Sequence, residues 1–226
     1  MPTKVQNTSA LTDEVPLTVD HLLRLRASQI PDTPVLAYSH NGRDYPQYTA
    51  PQLNAFAYRA GKHYKNSITQ RSSSETPEKV VALLGVSNFD YVISELALAK
   101  LGMTVLLLST RISDEAHRHL LKKTGCSDII IQPAFEKTIN RVRSGYEGAL
   151  NVVVMASRGQ YGPEAATEEE KGLTPEDMRL DTQLDMEVEK SRNVFIIHSS
   201  GSTGLPKPVG KYYDTLSPGG SKRGAD

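Results

Sequence analysis

The sequence predicts an α/β fold: an N-terminal hairpin and helix, followed by a doubly wound, mostly parallel sheet. Three observations carry this. Short apolar runs at residues 80–84, 103–108 and 128–131, and again at 151–155, read as strands buried on both faces. Segments of helical period lie between them, and the connections are short. Glycines stand where two of these helices should stop, at Gly102 and Gly125. Strand alternating with helix is the pattern of parallel strands joined by right-handed crossovers.

The elements follow in order. Residues 1–17 are polar and aperiodic at their start and are expected to be a disordered tail. Thr18 or Asp20 can cap a short helix carrying Leu22, Leu23, Leu25 and Ile30, which Pro31 and Pro34 end. Asn41-Gly42 lies between short apolar and aromatic runs, and both residues tolerate positive φ, so a hairpin is predicted there. Thr49 with Gln52 forms a capping-box pattern, and Pro51 sits in the first turn, where its missing N–H costs nothing. Leu53, Phe56, Ala57 and Ala60 continue that helix. Residues 70–77 read as a surface loop. Helices are predicted over 88–101, 113–124 and 133–144. Residues 157–192 break the rhythm with glycines, a proline and the acidic run Glu168-Glu169-Glu170, and are expected to be a long exposed connection. A strand returns at 194–197. Residues 209–226 are polar and glycine-rich, and a disordered tail is expected.

Composition excludes several functions. Lys plus Arg and Asp plus Glu are both 26, so the net charge is zero. A nucleic-acid binder or a binder of anionic membrane would need a basic surplus or patch. The one cysteine, Cys126, rules out a disulfide within the chain and suits a reducing, cytoplasmic setting. No apolar stretch is long enough to span a bilayer, and the first residues lack the apolar core of a signal peptide.

The chemistry points to one loop. Ser199, Ser200, Ser202 and Thr203 crowd hydroxyl donors together, while Gly201 and Gly204 let backbone N–H groups approach a ligand. Lys207 adds a mobile positive charge, and Leu205 and Pro206 stiffen the segment leading to it. An apolar strand delivers this loop at its carboxyl end, where open α/β sheets hold ligands. It is not a Walker A loop. Counted from Gly201, the second required glycine falls on Pro206, and Lys207 is followed by Pro208, a poor start for a helix. The loop should therefore continue into a turn or hairpin.

These residues resemble the core motif of the adenylate-forming superfamily, which includes acyl-CoA synthetases, luciferases and nonribosomal-peptide-synthetase adenylation domains. The usual pattern is Ser/Thr-Ser-Gly-Ser/Thr-Thr-Gly-x-Pro-Lys-Gly. Ser199, Ser200, Gly201, Ser202, Thr203, Gly204, Pro206 and Lys207 match it, and Pro208 replaces the last glycine. With the preceding His198, this variant is most similar to fungal nonribosomal-peptide-synthetase-like carboxylate reductases. The resemblance extends diffusely upstream, through Tyr48 to Asn54 and residues 80–102. It implies an incomplete adenylation-domain fold over residues 18–208. It also implies ATP with Mg²⁺, a carboxylic acid substrate, and a carrier-protein thiol or coenzyme A as acceptor in a full-length relative. The loop would hold the β- and γ-phosphates. His198 stands where it would shape the carboxylate pocket, or it is a structural histidine. No catalytic residue is assigned, because the family places its adenine contacts, magnesium-binding acid and catalytic lysine downstream. The chain alone is therefore expected to be an inactive fragment. A non-catalytic product and a small ATP- or phosphate-binding module are the alternatives.

The remaining polar residues read plainly. His117 and His119 are at i and i+2 on a helix and point apart, so no metal site is expected. Cys126 is expected to pack, and Glu95 and Lys100 to be surface charges.

Overall fold

A computed structural model of the chain describes residues 14–199 and 204–212. The chain runs α1 (Val19–Gln29), β1 (Pro34–Ala37), β2 (Gln47–Thr49), α2 (Ala50–Lys65), β3 (Val80–Leu84), α3 (Phe89–Lys100) and β4 (Thr104–Leu108). It continues through α4 (Asp114–Lys123), β5 (Asp128–Ile131), α5 (Glu136–Ser144), β6 (Asn151–Val154), α6 (Arg158–Tyr161), α7 (Met186–Glu189), β7 (Asn193–Ser199) and β8 (Lys207–Tyr212). β1 and β2 form a separate antiparallel pair. The main sheet has the order β6-β5-β3-β4-β7-β8. Its first five strands in that order are parallel, and β8 returns antiparallel to β7.

Local chemistry sets the element ends. Thr18, Asn88 and Ser113 each occupy an N-cap, and their side chains accept from the backbone N–H of His21, Tyr91 and Ala116 at 3.1, 3.0 and 3.1 Å. Gln52 accepts from the Thr49 N–H at 2.9 Å, as the capping-box pattern requires. Gly102 and Gly125 adopt φ of +67° and +60°, the left-handed conformation that stops α3 and α4. In the predicted hairpin, Asn41 Oδ1 accepts from the N–H groups of Arg43 and Asp44, both at 2.9 Å, beside Gly42 at φ +76°.

The sheet separates two cores. Val81, Leu83, Val105 and Ile130 face one cluster, which α1, α2 and α3 cover. Val80, Ala82, Leu84, Leu106, Ile129 and Ile131 face the other, which α4 and α5 cover. β3 is buried along its whole length, as the continuous apolar run predicts. The chain passes from β3 through α3 to β4, then through α4 to β5 on the far side of β3. The connections leaving β3 and β5 run in opposite directions, so the winding reverses between β3 and β5.

Three expectations are corrected. First, residues 157–192, exposed over much of their length, are not a free connection. Tyr161, Leu180, Asp181 and Leu184 are buried, and the Tyr161 ring stacks within 5.8 Å of Phe56. The segment looks polar because charged anchors hold it. Glu170, within the acidic run, pairs with Arg59 at 2.6 Å, and Glu189 pairs with Arg71 at 2.6 Å. Second, Lys100 is no surface charge but is 0% exposed. Its ammonium donates to Asp20 Oδ1 at 2.6 Å and to the Met178 carbonyl at 3.2 Å. Arg24 Nε donates to the other Asp20 oxygen at 2.8 Å and its guanidinium also pairs with Glu176. The end of α3 is roofed by α1 and by the 157–192 segment, so a lysine there must be paired. Burial lowers the Lys100 pKa, and Asp20 opposes that shift. Third, residues 209–212, expected to be part of a tail, belong to β8. Residues 1–13 and 213–226, also read as tails, lie outside the described residues.

Asp20 is the shared acceptor of two buried cations, so its loss should hurt more than the loss of either donor. Asp20→Ala is expected to destabilise by about 3–5 kcal/mol, the range seen when one partner of a buried ion pair is removed. Lys100→Met should cost less, because Asp20 keeps Arg24. Urea unfolding followed by circular dichroism checks the order, and an equal or reversed order would contradict the shared-acceptor reading.

Candidate functional site

The predicted phosphate loop sits at the tip of the β7–β8 hairpin. Asn193 pairs with Tyr212 at the base, His198 with Pro208 near the tip, and Ser199 with Lys207 at the last position. The chain after the loop is thus a strand and not a helix, as the two prolines around Lys207 dictate. Of the predicted loop residues, Ser199, Gly204 and Lys207 are described. Ser200, Gly201, Ser202 and Thr203 lie outside the described residues. Gly204 has φ +92°, which only glycine adopts readily. Pro206 is buried while Lys207 is exposed. The Lys207 ammonium has no hydrogen-bond or ion-pair partner among the described residues. Ser199 and Lys207 therefore bracket the loop, with the cation opposite the hydroxyl.

His198 lies one residue before the loop. Its Nε2 accepts from the Ser109 N–H at 3.2 Å, which leaves the proton on Nδ1 in the neutral ring. Burial lowers its pKa. Ser109 is engaged on its other side as well, because the buried His117 ring, through Nε2, lies 3.0 Å from the Ser109 carbonyl. Ser109 directly follows β4, so the residue after that strand ties α4, β4 and β7 together. Burial also lowers the His117 pKa. Cys126 is buried, its thiol pushed up to about 11 by desolvation, and it is far from a thiolate at neutral pH.

A cleft opens at the carboxyl ends of β3, β4 and β7. Residues 85–87 form one side, Ser109, Thr110 and Arg111 another, and Ile197 with His198 a third. Tyr91, Val92 and Glu95 of α3 complete it. It lies on the carboxyl-end side of the sheet, the side on which open α/β sheets hold ligands, next to the β3–β5 switch point. Glu95 is half-buried, not the free surface charge expected from the sequence. Desolvation pushes its carboxyl up to about 7. It has no hydrogen bond or ion pair among the described residues. Burial, with Glu95 nearby, also raises the Tyr91 phenol. Motif reading passed over Glu95, Tyr91 and Arg111 because none belongs to a phosphate loop. One signal was present: Tyr91 and Glu95 are at i and i+4 on the helix that joins β3 to β4. Among the described residues, no three His, Cys, Asp or Glu side chains converge as a metal site. No described helix is long and apolar enough to cross a membrane.

Comparison with known proteins bears on the fold and the family. The adenylate-forming reductase stbB of Stachybotrys bisbyi is 28% identical over 186 residues, covering 74% of this chain and 15% of that protein. An adenylate-forming reductase of Aspergillus terreus is 32% identical over 130 residues, covering 57% of this chain and 12% of that protein. The chain therefore spans a small share of the relatives it matches. Among solved structures, the adenylation domain of a keto acid-selecting NRPS module bound to keto acyl adenylate superposes with a TM-score of 0.62 at 16% identity. That match covers 88% of this chain and 32% of the other, and it shows a common fold. Residues 23–211 match the family of AMP-binding enzymes, and the chain belongs to that family.

Proposed function

We propose that the 199–207 loop grips the β- and γ-phosphates of ATP in an acyl-adenylate-forming reaction. The observation that carries this reading is the pairing of Ser199 with Lys207 at the tip of the hairpin, with a cation exposed and without a partner among the described residues, three residues after a glycine at positive φ. Ser199, Ser200, Ser202 and Thr203 supply hydroxyl donors, and Gly201 and Gly204 open the backbone to the phosphate oxygens. In the reaction a carboxylate attacks the α-phosphate and pyrophosphate leaves. Donors fixed on the leaving phosphates stabilise the charge that builds there. Mg²⁺, bound to the nucleotide, would share the phosphate charge. His198, held neutral and oriented by Ser109, lies on the side of the loop toward the cleft and would border the carboxylic acid. Transfer of the acyl group to a carrier-protein thiol or coenzyme A belongs to the longer proteins. A cytoplasmic setting suits the single, buried thiol of Cys126.

Calorimetry with ATP–Mg²⁺ tests the grip. The chain is expected to bind, and Lys207→Ala to bind about tenfold more weakly, the value of one charge-assisted hydrogen bond. Lys207 is exposed on an edge strand, so the variant should unfold at the same urea concentration. Unchanged affinity in Lys207→Ala, or no binding by the parent chain, would refute the assignment.

Completion of the reaction is a separate matter. The chain covers 32% of the matched adenylation-domain chain, and we propose that the missing groups lie in the remainder of such proteins. Pyrophosphate exchange by the 226-residue chain with a panel of carboxylic acids is expected to stay at background. Robust exchange would place a full catalytic set within these residues.

A further inference from the structure

His198 stands where the parallel sheet lets go of β7. The β4–β7 ladder ends at Leu106–Ile196, while β7 runs on beside β8 to Ser199–Lys207. Past Ile196, the Ser109 N–H donates to His198 Nε2 at 3.2 Å and carries the attachment onward. Ser109 is itself held from behind by the His117 ring, whose Nε2 lies 3.0 Å from its carbonyl. The two histidines answer a proton differently. His117 donates through Nε2, and an imidazolium keeps that donor. His198 accepts through Nε2, and an imidazolium, with N–H on both nitrogens, has no acceptor to offer. His198 is half-buried on the wall of an open cleft, where protons reach it, whereas His117 is buried.

We infer that His198 is a positioning residue that acts as a proton-sensitive latch. Its neutral ring fastens the end of β7 to Ser109. Uptake of a proton on Nε2 releases that end and weakens the grip on a polyphosphate of the loop that starts there. The grip, unlike the latch, rests on the phosphate-loop reading of Ser199 to Lys207. Burial sets the direction. Desolvation lowers the His198 pKa, so the latch is whole above the ordinary histidine value of about 6.5. It opens as pH falls through the lower value of the folded chain. Other charged and titratable groups surround the ring. Tyr91 and Glu95 of α3 and Arg111 after β4 line the same cleft, and the β3 end contributes none. His117 faces it from α4, with Asp114 beyond, and Lys207 lies on the paired strand β8. An ionised Glu95 favours the imidazolium while Arg111 and Lys207 oppose it, so the measurement must follow the His198 ring itself.

The test compares the ¹⁵N-labelled 226-residue chain with His198→Gln, which offers an acceptor oxygen at similar reach and does not titrate. NMR follows the Ser109 amide and the His198 ring, identified by its absence from the variant, from about pH 8 to about pH 5. The hydrogen-exchange protection factor of Ser109 should fall about tenfold in step with the His198 titration, the contribution of one hydrogen bond, and stay level in His198→Gln. Calorimetry with ATP–Mg²⁺ at both ends of the range reads the loop. Protonation of the nucleotide is common to both chains. The loss of affinity on acidification should therefore be about fivefold larger in the parent than in the variant. A Ser109 amide blind to the His198 titration would overturn the latch. Equal losses in the two chains would overturn the positioning of the loop. So would tighter binding by the parent in acid, which would mean that the imidazolium itself meets the phosphates. No nucleotide binding at any pH would sink the phosphate reading, and Ser109 would still decide the latch.

Discussion

Both faces of β3 have to be covered, and much of the architecture follows from that requirement. A strand with no exposed residue needs helices on two sides. The chain meets it by sending α3 across one face and α4 across the other. Right-handed crossovers then place β4 and β5 on opposite sides of β3. The two loops leaving β3 and β4 must diverge, and the gap between them is the cleft. The crevice that holds Glu95, Ser109 and Arg111 is thus a geometric consequence of the burial of five apolar residues, Val80, Val81, Ala82, Leu83 and Leu84.

Covering the outer side of α3 is harder, because the chain has few apolar residues left to spend on it. The 157–192 segment does it with anchors of mixed chemistry. Tyr161, Leu180 and Leu184 supply apolar contact, and Glu170, Glu176 and Glu189 pair with arginines of other elements. Each buried pair holds elements distant in sequence: Lys100 with Asp20, Arg59 with Glu170, Arg71 with Glu189. Buried ion pairs add little net stability over an apolar contact of the same size, since desolvation offsets much of the attraction. Their stronger effect is on alternatives. A segment docked in the wrong register would strand a charge in the core, so the pairing selects one arrangement of an otherwise polar stretch.

This contrast also explains how much was legible in the sequence. The strands of the sheet were readable because a doubly buried strand has to be apolar throughout. The helices were readable because Thr18, Asn88, Ser113, Gly102 and Gly125 act on their own neighbours within a few residues. The hairpin after the phosphate loop was readable because Pro206 and Pro208 forbid the helix that a Walker A loop needs. Lys100 was not readable, since its burial is decided by Asp20 and Met178, about 80 residues away in either direction. Glu170 was hidden in the same way, within a run that looks like a solvated face. Glu95 was read as a surface charge for the opposite reason: it has no partner among the described residues, and no periodicity distinguishes an unpaired carboxyl from a solvated one.

The hairpin that carries the proposed phosphate loop lies at the margin of the sheet, and its attachment is uneven. β7 and β8 pair from Asn193–Tyr212 to Ser199–Lys207, whereas β7 pairs with β4 only at Val105–Phe195 and Leu106–Ile196. Hydrogen bonds of the main sheet therefore stop short of the loop. What continues the connection is Ser109, whose N–H meets His198 and whose carbonyl meets His117. Both histidines sit in partly desolvated surroundings that favour the neutral ring, the form in which His198 Nε2 can accept. A protonated His198 would lose that acceptor and free the tip of β7 from β4. The position of the end of β7 relative to the cleft thus depends on a neutral imidazole and a single backbone amide, at the point where the sheet itself no longer holds the strand.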